Sequence, residues 1–381
     1  MSGFRSFKDP ESLGLSSKSL EEAYGILEKA VKEGAIMGAC VQIARSHGAL
    51  EPMAFGRRRL EPEGPPVESN TIFLVASVTK PVTATATMIL IERGKLCLDD
   101  PVAAIIPEFR GRWKERVLIR HLLTHTSGLP DMLPENRELR ARHADLDEFL
   151  RRIYRVPLLF EPGTNISYQS CGFALLGEVV KRVAGISLAE FMQRELFKPL
   201  GMDDSSLGVD WSKASRISQV NIPQGSFEYG SLSDDWNWNS PYWWSFGAPW
   251  GGLFSTVSDL TRFLMMFLNG GRLGGSRVLS PRTVRIMTSN QTDLMPSIKE
   301  EVRRNNPWGL GWRLKAYESL DWGFGDLVSP STFGHIGATG TMVWADPETN
   351  LACTIFTNQP DVDRRIMSRF SNAIVASVLE G

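Results

Sequence analysis

Apolar positions recur at helical intervals from the start of the chain. Leu20, Tyr24, Leu27 and Val31 follow Ser19-Leu20-Glu21-Glu22, whose spacing is that of a capping box, and the run stops at Gly34. An amphipathic helix is therefore predicted first. The segment ACVQIAR from Ala39 and the stretch from Met53 to Arg59 then read as strands, with Ser46-His47-Gly48 as a turn between them. From Ser77 to Gly94 the sequence SVTKPVTATATMILIERG is apolar on nearly every side, which predicts a buried helix. Pro81 falls in its first turn, where its missing N–H does no harm, and Gly94 stands where the helix should stop.

Between about 100 and 205 the rhythm is mainly helical, at Val117 to Thr124, at Leu146 to Tyr154, and in GFALLGEVVKRVAG from Gly172. Residues 224–252 have loop chemistry, rich in Trp, Ser, Asn, Gly and Pro. A helix is predicted from Ser258, then strands around Leu310 to Lys315, Thr332 to Ile336, Thr341 to Ala345 and Leu351 to Thr357, and an amphipathic helix near Arg364 to Leu379. Strands at both ends around a helical middle predict an α/β (α+β) protein: an α/β domain built from 1–99 and 206–381, and a helical domain at 100–205.

A chain of 381 residues can bury a sizeable core, and 42% hydrophobic with 22% charged residues is ordinary for a globular protein. The 42 Lys and Arg against 43 Asp and Glu leave a formal charge of −1, so there is no field to gather a polyanion and nucleic acid is not an expected partner. Arg57 to Arg59 and the Arg151-Arg152 pair sit among acidic residues and read as solvated faces. No apolar stretch of membrane-spanning length and no basic start followed by an apolar run is visible, so no membrane association and a cytoplasmic location are expected. Cys40, Cys97, Cys171 and Cys353 form no C-x-x-C pair, which fits reduced thiols rather than a disulfide framework or zinc site.

Ser77-Val78-Thr79-Lys80 is the chain's one S-x-x-K, and on a helix that spacing sets hydroxyl and ammonium on one face. A serine becomes a nucleophile when a base takes its proton, and a lysine serves as base if burial lowers its pKa. Backbone N–H groups at the helix start suit a developing oxyanion. One such tetrad is about what chance supplies in a chain this long. Tyr168-Gln169-Ser170 follows 91 residues after Ser77, and unlike the other Y-x-S matches at Tyr229 and Tyr317 it leads straight into an apolar helix. His121 and His125 have the spacing of two metal ligands on a helix but lack the glutamate of H-E-x-x-H, so no metal is expected there, and no cofactor fingerprint or G-x-S-x-G occurs.

With these motifs, LVASVTKPVTATATMILIERGKLCLDDPV, IRHLLTHTSGLP, EPGTNISYQSCGFALLGEVV, WGGLFSTVSDLTRFL and GHIGATGTMVWADPETN resemble, in order, the blocks of the serine β-lactamase and penicillin-binding protein superfamily. The branch most similar holds class C β-lactamases, D-Ala-D-Ala carboxypeptidases and family VIII carboxylesterases. The resemblance implies a β-lactamase-like fold, an antiparallel sheet flanked by helices beside a mostly helical domain. It implies Ser77 as acylated nucleophile, Lys80 and Tyr168 as the proton-transfer pair, and His335-Ile336-Gly337 in place of the family's Lys-Thr-Gly strand. The amides of Ser77 and Ala338 would form the oxyanion hole, with Ser170 beside the substrate.

The pair Lys80 and Tyr168 would share one proton, with either as the base. His335-Ile336 supplies an imidazole and a hydrocarbon where Lys-Thr would offer an ammonium and a hydroxyl, so a substrate carboxylate loses hydrogen bonds and an uncharged ester does not. A carboxylesterase acting on a small-molecule ester without a cofactor is thus expected, ahead of a β-lactamase or D-amino-acid peptidase or amidase, an acyltransferase, or a noncatalytic binding protein. Five of the 11 tryptophans fall in 224–252, and Trp243 and Trp244 are expected either to line the cleft or to form an aromatic mini-core. Nothing in the sequence sets the oligomeric state.

Overall fold

Three central strands are buried along nearly their whole length, so both faces of the sheet they build must be covered. The computed structural model describes residues 5–223, 230–315 and 323–379; Tyr229, Tyr317-Glu318-Ser319 and the first six residues of the aromatic loop lie outside them. In chain order the strands are β1 Ser6–Phe7, β2 Gly38–Arg45, β3 Gly48–Leu50, β4 Met53–Gly56, β5 Phe73–Leu74, β6 Ser206–Leu207, β7 Leu253–Ser255, β8 Arg272–Leu273, β9 Ser276–Arg277, β10 Arg313–Leu314, β11 Phe333–Gly337, β12 Thr341–Asp346 and β13 Leu351–Thr357. The main sheet runs β1-β3-β2-β13-β12-β11-β10, with β4 also on β2, and only β1 and β3 pair in parallel. Strands from the two chain ends therefore meet at its centre, in the register Cys40↔Phe356 and Ile43↔Cys353.

Alternation along these strands sorts side chains onto two cores. Ala39, Val41, Ile43, Met342, Trp344, Cys353 and Ile355 face the layer formed by α1 (Ser17–Lys32) and the C-terminal helix, whereas Cys40, Ala44, Val343, Ala345 and Phe356 face the rest of the protein. The first helix starts earlier than the capping box suggests. Ser16 is its cap, and its hydroxyl accepts the Ser19 N–H at 3.3 Å, so Ser19 lies inside the first turn.

The further helices used below are α2 Thr79–Glu92, α3 Ile119–Leu123, α4 Leu146–Ile153, α5 Cys171–Ala184, α6 Pro241–Phe246, α7 Val257–Leu268 and α8 Arg364–Ala376. Residues 100–205 contribute helices and loops and no strand. α2 is buried along its length to Leu90 and packs on α5, so the predicted buried helix lies at the join between the sheet side and the helical middle. Within the aromatic segment, α6 forms where a loop was predicted: Ser240 caps it by accepting the Trp243 N–H at 3.1 Å, and Pro241 starts it. No helix among the described residues is long and apolar enough to cross a membrane.

Candidate active site

Ser77 is delivered by a segment fixed from two sides. β5 pairs with β7, and the Val75 N–H donates to Leu253 O at 2.9 Å. From the β11–β12 turn, the Thr339 hydroxyl donates to Leu74 O at 2.6 Å and the Thr341 hydroxyl to Val75 O at 2.8 Å. These bonds hold Ala76 at φ 45°, a left-handed conformation that costs a non-glycine residue about 1–3 kcal/mol and persists only where its surroundings enforce it. The Thr79 hydroxyl completes the frame, donating to Ala76 O at 2.6 Å and accepting the Leu253 N–H at 3.0 Å. Because of that backbone, Ser77 sits in a single 3-10 turn, Ala76–Val78, and the α-helix proper begins at Thr79.

Lys80 Nζ lies 3.0 Å from Ser77 Oγ, donates to Trp250 O at 3.1 Å, and stands 4.6 Å from the centre of the Tyr168 ring. The lysine is wholly buried, and burial lowers its pKa to about 7, against the opposing pull of Asp131 and Cys171. Tyr168 is shifted the other way: burial raises it, while a hydrogen bond with the Ser77 hydroxyl works against the rise. The pair is thus biased toward a neutral phenol beside an amine that can give up its proton near neutrality. Asp131 anchors the chain after Tyr168, since its carboxylate accepts the Ser170 N–H at 2.8 Å and its carbonyl accepts the Ser170 and Cys171 N–H groups at 3.0 Å.

Two side chains frame Tyr168: His125, which the sequence marked only for its spacing from His121, and Trp308, which it did not mark. His125 stacks on its ring at 4.6 Å between centroids, and His125 Nδ1 accepts the Gln169 N–H at 3.0 Å. That residue is wholly buried with φ 60°, and burial first, then the charge of Lys80, keeps it neutral by lowering its pKa well below the ordinary range. Trp308 meets His125 edge-on at 4.2 Å and lines the cleft beside Tyr168. His121 turns elsewhere, its Nδ1 accepting the Leu118 N–H at 3.2 Å, so the two histidines have separate structural partners.

β11 forms the other wall. A Cβ at Gly337 would overlap Val75 O and Thr341 Oγ1, so only glycine lets the strand lie this close to the backbone before Ser77. Ser77, Tyr168, His335, Ile336, Gly337 and Ala338 share one cleft of about 380 Å³, together with Trp308 and Arg313. His335 and Ile336 occupy opposite faces of β11, as adjacent strand residues must. Both still border the cleft because β10 pairs only with Phe333 and Gly334, so that among the described residues no strand pairs with His335 to Gly337 on that side. His335 Nδ1 lies 2.7 Å from Ile336 O and so carries the proton, which makes buried, unpartnered Nε2 an acceptor. Burial, then Lys80, lower its pKa to about 3, so the imidazole is neutral. Arg313, brought down to about 10 by burial, donates to Asn305 O at 3.0 Å and to Asn306 Oδ1 at 3.4 Å, and its guanidinium lies 5.3 Å from the Trp308 ring.

Three expected substrate contacts lie off this cleft. Ser170 is the residue before α5, is 5% exposed, and borders a separate small void with Phe149 and Trp250. Trp243 stacks on Phe246 at 5.4 Å with the Arg140 guanidinium 4.1 Å from its ring, and Trp244 donates from Nε1 to Trp238 O at 2.9 Å. Both tryptophans are buried in the main core, so the aromatic segment is a mini-core whose rings pack on one another.

Residues 25–376 match the Beta-lactamase family. An Escherichia coli K12 protein provisionally named a D-alanyl-D-alanine carboxypeptidase is 29% identical over 314 residues, covering 77% of this chain and 70% of its own length. Among solved structures, a family VIII carboxylesterase superposes with TM-score 0.78 at 22% identity, over 96% of this chain and 99% of the other. EstCE1, described as a hydrolase with promiscuous acyltransferase activity, gives TM-score 0.78 at 22% identity over 94% and 99%. The fold is thus shared across nearly the whole chain.

Proposed function

The chain belongs to the β-lactamase family, and from that premise we propose that it hydrolyses carboxylic esters through an acyl-Ser77 intermediate. Lys80 in its neutral form takes the Ser77 proton as Oγ attacks the ester carbonyl. The amides of Ser77 and Ala338 hold the resulting oxyanion. Tyr168, kept as a phenol, passes a proton to the departing alkoxide and is reprotonated from Lys80, so both end the acylation step as they began. Water then attacks the acyl carbonyl by the reverse path and frees the acid and Ser77.

The observation that carries the choice of esters is His335. With Nδ1–H committed to Ile336 O, the neutral imidazole has no second N–H to offer, its Nε2 being buried and without a hydrogen-bond partner, and Ile336 beside it presents hydrocarbon. A carboxylate, as on a β-lactam or D-Ala-D-Ala terminus, gains no donor from this strand pair, a loss of about 1.5–3 kcal/mol for a hydrogen bond to a charged group. A neutral ester needs no such donor. The likeness in fold to a carboxylesterase and to EstCE1, a hydrolase, supports this reading, while the Escherichia coli relative's name points to peptide substrates.

The test is a panel of p-nitrophenyl esters beside a chromogenic cephalosporin. The expected result is a kcat/KM for the best ester at least about tenfold above the cephalosporin, from the hydrogen bond lost to the carboxylate. Faster turnover of the cephalosporin would reverse the assignment.

A further inference from the structure

The two amides assigned to the oxyanion belong to segments far apart in the chain, Ser77 just after β5 and Ala338 in the turn between β11 and β12. Their separation decides whether both reach one oxygen, since each donor must lie about 2.7–3.1 Å from it. The turn runs from Gly337 to Gly340 and is closed by the Gly340 N–H donating to Gly337 O at 3.0 Å. β13 grips it, with Thr357 donating to Gly340 O from its N–H at 3.1 Å and from its hydroxyl at 2.8 Å. At the tip the two central residues part. Ala338 is exposed and lines the cleft, whereas Thr339 is 1% exposed and its hydroxyl donates to Leu74 O at 2.6 Å, on the strand that leads into Ser77. Gly337, Ala338 and Gly340 have no polar side chain, so Thr339 is the turn's one means of bonding to that strand through a side chain. Thr341 makes a second bond of this kind from β12, to Val75 O at 2.8 Å.

We propose that Thr339 is a positioning residue for the oxyanion hole: its hydroxyl sets the distance between the Ala338 and Ser77 amides and so acts on the transition state without touching the substrate. The inference rests on the acyl-Ser77 reading and holds whether the acyl donor is an ester or a lactam. A displaced donor forfeits part of the about 10²–10³ in kcat that one oxyanion donor supplies. The neutral carbonyl of a bound substrate gains less from that donor than the oxyanion does, so KM should hardly change.

Thr339→Val keeps the shape and removes the hydroxyl, and Thr339→Ser keeps the hydroxyl. With a short-chain p-nitrophenyl ester, Thr339→Val should lower kcat by at least about tenfold with KM within about twofold, and Thr339→Ser should stay within about threefold of wild type. Thr339→Ala repeats the test if Thr339→Val does not fold. Ala338→Pro deletes the amide at the second position of a turn, where proline is accepted. In that background Thr339→Val should cost less than about twofold more, whereas a loss from general loosening would recur in full. Phenylboronic acid reads the same geometry without turnover: boron bonds to Ser77 Oγ, Lys80 takes the serine proton, and the tetrahedral anion places an oxygen in the hole. Its dissociation constant by calorimetry should rise by at least about tenfold in Thr339→Val. Unchanged kcat and boronate affinity in folded Thr339→Val, an equal loss in Thr339→Ser, or full additivity with Ala338→Pro would overturn the proposal. If wild type hydrolyses no ester, the boronate decides alone: weaker binding in Thr339→Val that Thr339→Ser restores keeps the proposal, and equal binding, or no adduct on wild type, removes it.

Discussion

The acid limb of the acylation rate should report Lys80. Full burial brings this amine from 10.5 to about 7, and the general base must be unprotonated to accept the Ser77 proton. The neutral fraction then falls about tenfold for each pH unit below the pKa, so kcat/KM should drop about 100-fold between the plateau and about pH 5. Asp131 pulls Lys80 upward through its charge. Asp131→Asn keeps an oxygen that can accept the Ser170 N–H yet removes that pull, so the limb should shift to lower pH. Folding stability has a matching sign. Between about 7 and 10.5 the unfolded chain holds a proton at Lys80 that the folded chain has lost, so this residue makes stability rise with pH across that window. The assay is stopped-flow release of p-nitrophenol from a short-chain ester, corrected for spontaneous hydrolysis, from about pH 5 to 9. A flat profile, or an apparent pKa at the ordinary lysine value, would refute the role of a depressed Lys80. A limb unmoved by Asp131→Asn would refute the electrostatic account of its pKa.

Lys80→Ala or Tyr168→Phe should each lower kcat by at least about 100-fold, and the double variant should be scarcely worse than the worse single one, because the two relay one proton; additive losses in steady-state kinetics would place them in separate steps. His125→Phe retains a ring beneath Tyr168 but leaves the buried Gln169 N–H without its acceptor and puts a bulky residue at φ 60°, so unfolding free energy should fall by about 1–3 kcal/mol in urea titrations. His125→Asn supplies an acceptor and tolerates that backbone, so it should retain more stability while kcat falls with the lost stacking on Tyr168. Equal stability of the two variants would show that the Nδ1 contact does not matter.

Local chemistry was readable and long-range chemistry was not. Ser77 and Lys80 are three residues apart on one short stretch, so their meeting follows from helical geometry, and Tyr168 was reached through its place before an apolar helix and the family blocks. Trp308 and Arg313 reach the cleft from a segment far along the chain from Ser77 and Tyr168, and His125 packs behind Tyr168 and against Trp308, placements that no spacing rule connects. A histidine that is stacked and neutral looks in sequence like one that might bind metal. Composition marked 224–252 as aromatic, but which way Trp243 and Trp244 face was decided by the Ser240 cap and the helix it starts, and they turned inward. Period-two alternation alone places His335 and Ile336 on opposite faces, and only the short β10 explains how both reach one cleft. The hairpin, the buried helix and the four C-terminal strands were each visible as patterns, because sheets covered on both faces leave continuous apolar runs.

The central claim is a covalent acyl group on Ser77 formed from an ester. Rapid acid quench of the enzyme with a p-nitrophenyl ester, followed by intact-mass and peptide mass spectrometry, measures it directly. The account predicts a single adduct of acyl mass on the peptide carrying Ser77, formed with the burst of p-nitrophenol and absent in Ser77→Ala, which should also lose turnover while keeping its fold. An adduct at another residue, or full turnover by Ser77→Ala, would contradict it.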